Sequence, residues 1–484
     1  MLYNTECIKP EDFKPQRFES DHEITLRGKK IPYHTVSEDN VFYSKDGKPE
    51  ASIFSYSYFR SDVKDTRNRP VCFAYNGGPG SGSYFVHAGF LAPRRVVYGE
   101  PDRPTAFGPY EVQDNPDCLL DDADLVICDA IGTGNGMLID EDKKAHYLGI
   151  EQDGEAFIAF IERWLKKYNR TMSPKYLIGE SYGCTRNATI VGIGANGGRE
   201  RSYGVSFDGV VNIGNTITVG KYFGEGLYVE PSVIGFPTYA GVNWYHHRPT
   251  NQTVKEFVME AKKFADTEYM LALYKGESLS DEEKAHIIDK VTYYTGVSKE
   301  YLIRNGLKID DDNYRQEVLK KEGKAVSRYD GRMTRPLAEP EVFEAKHNLF
   351  DDATADRYET YFYAVETGEI FPDLNIKMDR PYITSHSYWK NWDKEEKMGV
   401  TGLKLRDAMT RRPGMRTFFA NGWFDLCTEF GYVFHTLDHA GLPKDRTFVK
   451  GYNSGHMIYI GEDNVKELSA DIRTFILGGD PTKG

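Results

Sequence analysis

"KYLIGESYGCTRNATIVGIG", Lys175 to Gly194, decides how this chain folds. The opening "KYLI" is a short apolar run of the kind found in a strand covered on both faces, and the stretch after Tyr182 reads as a helix. Between them Gly179 and Gly183 bracket Ser181 in a G-x-S-x-G pentapeptide. Two glycines let a strand turn sharply into a helix and leave the serine hydroxyl standing above the sheet, the arrangement of a nucleophile elbow. The pentapeptide alone is a weak signal in a chain with 46 glycines. Its context, strand before and helix after, gives it weight. The residue before the serine is Glu180, a carboxylate where a nucleophile would ordinarily be hindered by one.

The flanking chain extends the pattern. "PVCFAYN" (Pro70 to Asn76), "DLVICDAI" (Asp124 to Ile131) and "GVVNIGN" (Gly209 to Asn215) are further short apolar runs, and Glu155 to Tyr168 has helical periodicity with acidic residues first and lysines last. Strand, helix, strand spells a mostly parallel α/β sheet. From His22 to Arg60 polar and apolar residues alternate, and "YSKDGKPEASIFSYSYF" places Asp-Gly between two aromatic-rich runs, so an antiparallel hairpin edge is expected. From Val219 to Glu395 the chain turns to charged, tyrosine-rich helices, one opening with Ser280 and Glu283 at capping-box spacing. The α/β pattern resumes at Met415 to Asp425 and Arg446 to His456 and closes with an amphipathic helix near Asn464 to Leu477. The organisation expected is therefore an N-terminal part of the core over 1–218, a helical cap inserted over 219–395, and the C-terminal part of the core over 396–484.

Composition narrows the function. Net charge is −12 and there is no basic block, which argues against nucleic acid as a partner. The first thirty residues hold no apolar leader and no later run approaches a membrane span, so neither a signal peptide nor a membrane association is expected. Six cysteines (Cys7, Cys72, Cys118, Cys128, Cys184 and Cys427) lack paired spacing and read as reduced thiols of a cytoplasmic protein. Oligomeric state stays open, a homodimer included.

A serine nucleophile needs a base and an acid that orients it, and in this architecture they follow the serine in the order Asp, His, from loops after later strands. Asp425 ends one such strand and His456 follows another in "NSGHM". Asp425 has an alternative as a helix N-terminal aspartate, and His456 as a core or surface histidine. "YNGGPGSGS" (Tyr75 to Ser83) also follows a strand and is either a plain turn or an oxyanion hole whose side-chain-free residues bring a backbone N–H to the reacting carbonyl. It lacks the Gly-Lys-Ser/Thr of a P-loop. Gly192, Gly194 and Gly197 match G-x-G-x-x-G but follow a helix, so a dinucleotide site fails its context. His435 and His439, four apart, invite a zinc reading that no further ligand supports, and helix-surface histidines are expected. No metal and no organic cofactor is implied.

N-G-G-P-G (Asn76 to Gly80), G-E-S-Y-G, the G-x-x-D ending at Asp425, and G-H-M (Gly455 to Met457) occur in that order and together resemble the signature segments of the serine carboxypeptidases, the group of carboxypeptidase Y and cathepsin A. "PRRV" and "YYTGVSKEYLIRNGLKI" look closer to a bacterial branch. The resemblance implies an α/β-hydrolase fold, a triad of Ser181, Asp425 and His456, and an oxyanion hole from the N–H groups of Gly78 and Tyr182. It implies a peptide substrate whose terminal carboxylate meets Asn76, Gly77 and Glu180. The expected activity is a serine-type carboxypeptidase acting through an acyl-enzyme; the alternative is an esterase, amidase or acyltransferase on a small acyl substrate with the same triad. Three positions depart from the family. Its further carboxylate-binding glutamate falls at Phe90, its cysteine after G-G-P-G at Ser81, and its proline after G-H-M-x at Tyr459. His87, Arg94 and Arg95 are candidate replacement donors for a carboxylate, or simply surface charges.

Overall fold

Ten strands form one sheet in the computed structural model, which describes residues 9–99, 108–199, 201–220, 230–337, 352–386, 392 and 399–483. Three long strands, β1 (Arg17–Leu26), β2 (Lys29–Tyr43) and β3 (Pro49–Arg60), run antiparallel. The Asp-Gly signal is the turn between β2 and β3, where Gly47 takes φ +77° and Ser44 N–H donates to Lys48 O. The edge holds one strand more than the hairpin expected, because β1 starts at Arg17, ahead of the alternation that begins near His22.

The remaining main strands are β4 (Val71–Tyr75), β5 (Asp124–Asp129), β6 (Lys175–Glu180), β7 (Gly209–Ile213), β8 (Arg416–Gly422) and β9 (Thr447–Tyr452). The order is β1-β2-β3-β5-β4-β6-β7-β8-β9, with the two-residue strand Met137–Leu138 beside β3. β5 lies antiparallel to β3, and every pair from β5 to β9 is parallel. Parallel strands are covered on both faces, which is why they read as continuous apolar runs. Alternate residues feed two separate cores: Phe73, Tyr75, Val126, Leu177 and Phe419 lie in one, Cys72, Ala74, Leu125, Ile178 and Phe418 in the other.

Helices α1 (Ile150–Lys167) and α2 (Tyr182–Asn196) follow β5 and β6 in sequence. The chain between the adjacent strands β7 and β8 contributes no strand to the large sheet among its described residues. It holds α3 (Glu230–His247), α4 (Val254–Phe264), α5 (Asp281–Thr295), α6 (Ala353–Val365) and α7 (Thr401–Arg411), with a short ribbon of Lys324–Val326 and Thr334–Pro336. The Ser280 capping box is formed in full, and Thr253 and Glu256 form a second at α4. Stretches 221–229, 338–351, 387–391 and 393–395 of the expected cap lie outside the described residues, as do 396–398 and Cys7. After β8 come α8 (Phe430–His439) and the last helix, α9 (Glu462–Ile476). The other five cysteines are free thiols, and no helix among the described residues is long and apolar enough to cross a membrane.

Candidate active site

β6 ends at Glu180 and α2 starts at Tyr182, so one residue makes the turn. That residue, Ser181, takes φ 59° and ψ −128°, a conformation that side-chain-bearing residues adopt rarely and at a cost of about 1–3 kcal/mol. The turn is pinned from both sides: Ser181 N–H donates to Ile213 O at 2.8 Å, and Thr216 Oγ1 donates to Ser181 O at 2.8 Å. The glycines of the pentapeptide answer to contacts across it. A Cβ on Gly179 would stand 2.3 Å from Gly183 O, and one on Gly183 would stand 3.1 Å from Tyr75 O. From Lys175 to Ile193 every residue is buried except Ser181.

His456 and Asp425 meet as the chain order requires. His456 Nδ1 lies 2.9 Å from Asp425 Oδ2, and both side chains are buried. Asp425 Oδ1 accepts the Cys427 and Thr428 N–H groups, and Oδ2 also accepts the Thr428 hydroxyl at 2.7 Å. A carboxylate held by that many donors has its charge fixed in place and directs it at the imidazole. Burial pushes the His456 pKa down, but the charge and hydrogen bond of Asp425 and the charge of Glu180 outweigh it, leaving the imidazole above its usual value. Gly214, at φ +59°, lies under the ring, where a Cβ would come within 2.8 Å of Nδ1.

The glycine-rich loop after β4 closes over the elbow. A Cβ on Gly77 would fall 2.4 Å from Tyr182 N and 2.7 Å from Glu180 O, so only glycine brings these backbones together. Gly78 is the one exposed residue from Asn76 to Gly80, and its N–H and that of Tyr182 donate to no other described group. Two free N–H groups beside an accessible serine are the parts of an oxyanion hole. Arg186, buried in α2, ties the loop down: it donates to Asn76 O at 2.8 Å while its charge meets Asp153 at 2.7 Å. Ser83 anchors the far side, accepting from Asn76 N–H and donating to Cys128 O.

Asn76 explains the carboxylate beside the serine. Its Oδ1 accepts the Val86 N–H at 2.9 Å, so its amide nitrogen is turned towards Glu180 and donates to Oε1 at 2.9 Å. The Glu180 Oε2 is buried without a partner among the described residues. Burial is the main force on this carboxyl and pushes its pKa up to about 7, although nearby His456, Asn76 and Tyr459 favour the ionised form. Near neutral pH it is half protonated, with the proton on the oxygen that Asn76 does not occupy.

The candidate replacement donors lie elsewhere. Arg95 is buried and grips both oxygens of Glu462 at the start of α9, and Arg94 pairs with Asp373 at 2.9 Å. His87 is enclosed between Tyr58 and Glu366, at 2.7 and 2.8 Å. Arg95 and His87 are buried on long-range partners and closed to a substrate carboxylate, whereas Arg94 is a partly exposed surface charge paired with acids after α6. Gly192 and Gly194 lie inside α2, where a Cβ on Gly192 would stand 3.1 Å from Lys404 Cβ. Their spacing reflects helix packing. His435 and His439 stack on α8, His439 hydrogen-bonded to His435 O, and no group of three metal-binding side chains occurs among the described residues. Sequence reasoning missed Arg186, Asp153 and Thr428, although Arg186 sits in the elbow helix itself, five residues after the serine.

No family model and no curated protein matches the chain. Among solved structures it is similar to Kex1(delta)p, a prohormone-processing carboxypeptidase from Saccharomyces cerevisiae, with a TM-score of 0.55 and 13% identity over 92% of this chain and 91% of that one. Looser likenesses include a thermostable carboxyl esterase from Bacillus coagulans (TM-score 0.38, 12% identity, 92% and 98% covered) and an epoxide hydrolase from Aspergillus niger (TM-score 0.36, 11% identity, 92% and 78% covered). At such identities the likeness concerns the backbone alone. Sheet order, elbow and helices on both faces agree with it, and the fold of this chain is the α/β-hydrolase fold.

Proposed function

We propose that the protein is a serine hydrolase working through an acyl-enzyme, and that it is a serine-type carboxypeptidase. His456 takes the proton of Ser181 as the hydroxyl attacks the scissile carbonyl, Asp425 holds the imidazole tautomer, and the N–H groups of Gly78 and Tyr182 receive the developing oxyanion. His456 then hands the proton to the leaving amine, and water, activated in the same way, releases the acyl group. The helical segment between β7 and β8 serves as the cap that shapes the substrate pocket. Five free thiols, four of them buried, fit a reducing, cytoplasmic setting.

The observation that carries the exopeptidase reading is the Glu180–Asn76 pair. A buried carboxyl that is still partly protonated near neutral pH is a poor neighbour for a nucleophile unless it donates to something. With Asn76 holding one oxygen, the other presents an O–H to a substrate carboxylate one residue from the attacking serine. The esterase, amidase or acyltransferase alternative keeps the triad and treats Glu180 as a brace for the elbow; Phe90, apolar where the resemblance places an acid, favours it. The experiment has two stages. A fluorophosphonate should label Ser181 in folded protein, and absence of labelling sinks the hydrolase reading. Blocked dipeptides should then be cleaved at least tenfold faster as free acids than as C-terminal amides; equal rates, or turnover of simple esters alone, select the alternative.

A further inference from the structure

Tyr459 lies three residues past His456, and its ring is wholly buried. One face stacks on Phe90, with centroids 5.4 Å apart and planes 3° from parallel. Alongside, a Cβ on Gly89 would come within 2.9 Å of Tyr459 Cε2, so the residue before Phe90 is one that leaves room for the ring. Tyr98 donates to Gly89 O at 2.7 Å and holds that backbone in place. The ring is thus fixed in one place, yet its hydroxyl has no hydrogen-bond partner among the described residues. Phenylalanine would fill the same space without burying a polar group.

The hydroxyl stands beside the Glu180 carboxyl and the Asn76 amide, close enough for phenol and carboxyl to perturb each other's ionisation, yet it makes no hydrogen bond of full geometry to either. Glu180 Oε2 is the second unpartnered buried atom of the pair. Since Asn76 holds Oε1, the pair keeps two unengaged groups, one phenolic and one carboxylic, the latter on the residue before Ser181. Two adjacent donors suit the two oxygens of a carboxylate; an amide or ester carbonyl has one oxygen to offer them.

We propose that Tyr459 is a substrate-binding residue, its hydroxyl and the free oxygen of Glu180 each donating to one oxygen of the peptide's terminal carboxylate, with Phe90 positioning the ring. The proposal rests on the carboxypeptidase reading and deepens it. Phe90, on this view, removes no carboxylate recognition: the Phe90–Tyr459 stack supplies the second donor. The groups that set the ionisation of this pair are His456, Asp425, Tyr98 and Cys184, and among them only His456 can carry positive charge.

The test uses the full chain carrying Ser181→Ala, titrated by calorimetry with N-acetyl amino acids (Phe, Leu, Lys and Glu) and with the matching amides. The parent should prefer the free acid of its best ligand, and adding Tyr459→Phe should weaken that acid by roughly tenfold to a hundredfold while leaving the amide unchanged, the effect of one hydrogen bond to a charged group. Without ligand, Tyr459→Phe should melt at the same temperature or higher, because a buried hydroxyl without an internal partner adds nothing to the fold. If the parent discriminates acid from amide and Tyr459→Phe discriminates equally, the assignment of Tyr459 is overturned and Glu180 acts alone. A lower melting temperature with discrimination intact overturns it too, placing the hydroxyl in the fold. If the parent shows no preference for acids, the carboxypeptidase reading itself falls, and this proposal with it.

Discussion

Replacing Glu180 with Gln separates two titrations that overlap in the parent. The carboxyl, pushed up to about 7 by burial, must be protonated to receive a substrate carboxylate. The fraction able to bind therefore falls as pH rises through that value. For free-acid peptides, kcat/KM reports groups of the free enzyme, so it should drop by about tenfold per pH unit once well above the midpoint, and by about fiftyfold between pH 7 and pH 9. His456 acts in the opposite sense. Its pKa is raised, and acylation needs the neutral ring, so activity climbs only as pH passes that raised value. The two limbs close on each other and leave a narrow optimum near neutrality. Glu180→Gln keeps a donor at every pH and should flatten the alkaline limb. It also removes one of the negative charges that hold the imidazole pKa up, so the acidic limb should move to lower pH. Amidated peptides and esters should show the acidic limb alone, even in the parent. The assay is kcat/KM from pH 5 to pH 9 on one blocked dipeptide as acid, amide and ester. An alkaline fall that survives in Glu180→Gln, or that amides share, refutes the assignment of Glu180 as the carboxylate's partner.

Ser181→Ala should lower kcat by roughly four to six orders of magnitude, and His456→Ala nearly as much, because triad members act as a unit; a variant keeping a tenth of the activity breaks the assignment. Thr428→Val removes the hydroxyl that donates to Asp425 Oδ2 and lies 3.1 Å from His456 Nδ1, and should cost roughly tenfold in kcat, about 1.5 kcal/mol, with KM little changed. Unchanged kcat would mean that the two backbone donors suffice. Gly77→Ala puts a methyl 2.4 Å from Tyr182 N, a backbone contact that no rotamer can relieve, so kcat should fall by roughly 10² to 10³ as the oxyanion donors part. Full activity there would move the oxyanion hole elsewhere.

What the sequence made legible is what local chemistry controls. The elbow needs one residue at positive φ and two glycines where backbones nearly touch, and all three are written within five positions, Gly179 to Gly183. Asp425 and His456 could be found because parallel strands end at one edge of the sheet, so residues at the ends of β8 and β9 converge whatever lies between them. The fates of Arg94, Arg95 and His87 depend instead on Asp373, Glu462 and Glu366, partners hundreds of residues away that no periodicity announces. Near the glycine loop such charges looked like substrate ligands, and the fold spent them on holding α9 and the segment after α6 against the core. Phe90 and Tyr459 show the same limit from the other side. Taken singly, each is a departure that weakens a resemblance: an acid lost at one position, a proline lost at the other. Their rings stack in the structure, and the stack holds a phenol beside the carboxyl that precedes Ser181. A residue read alone reports its own chemistry; its packing partner reports where that chemistry is held.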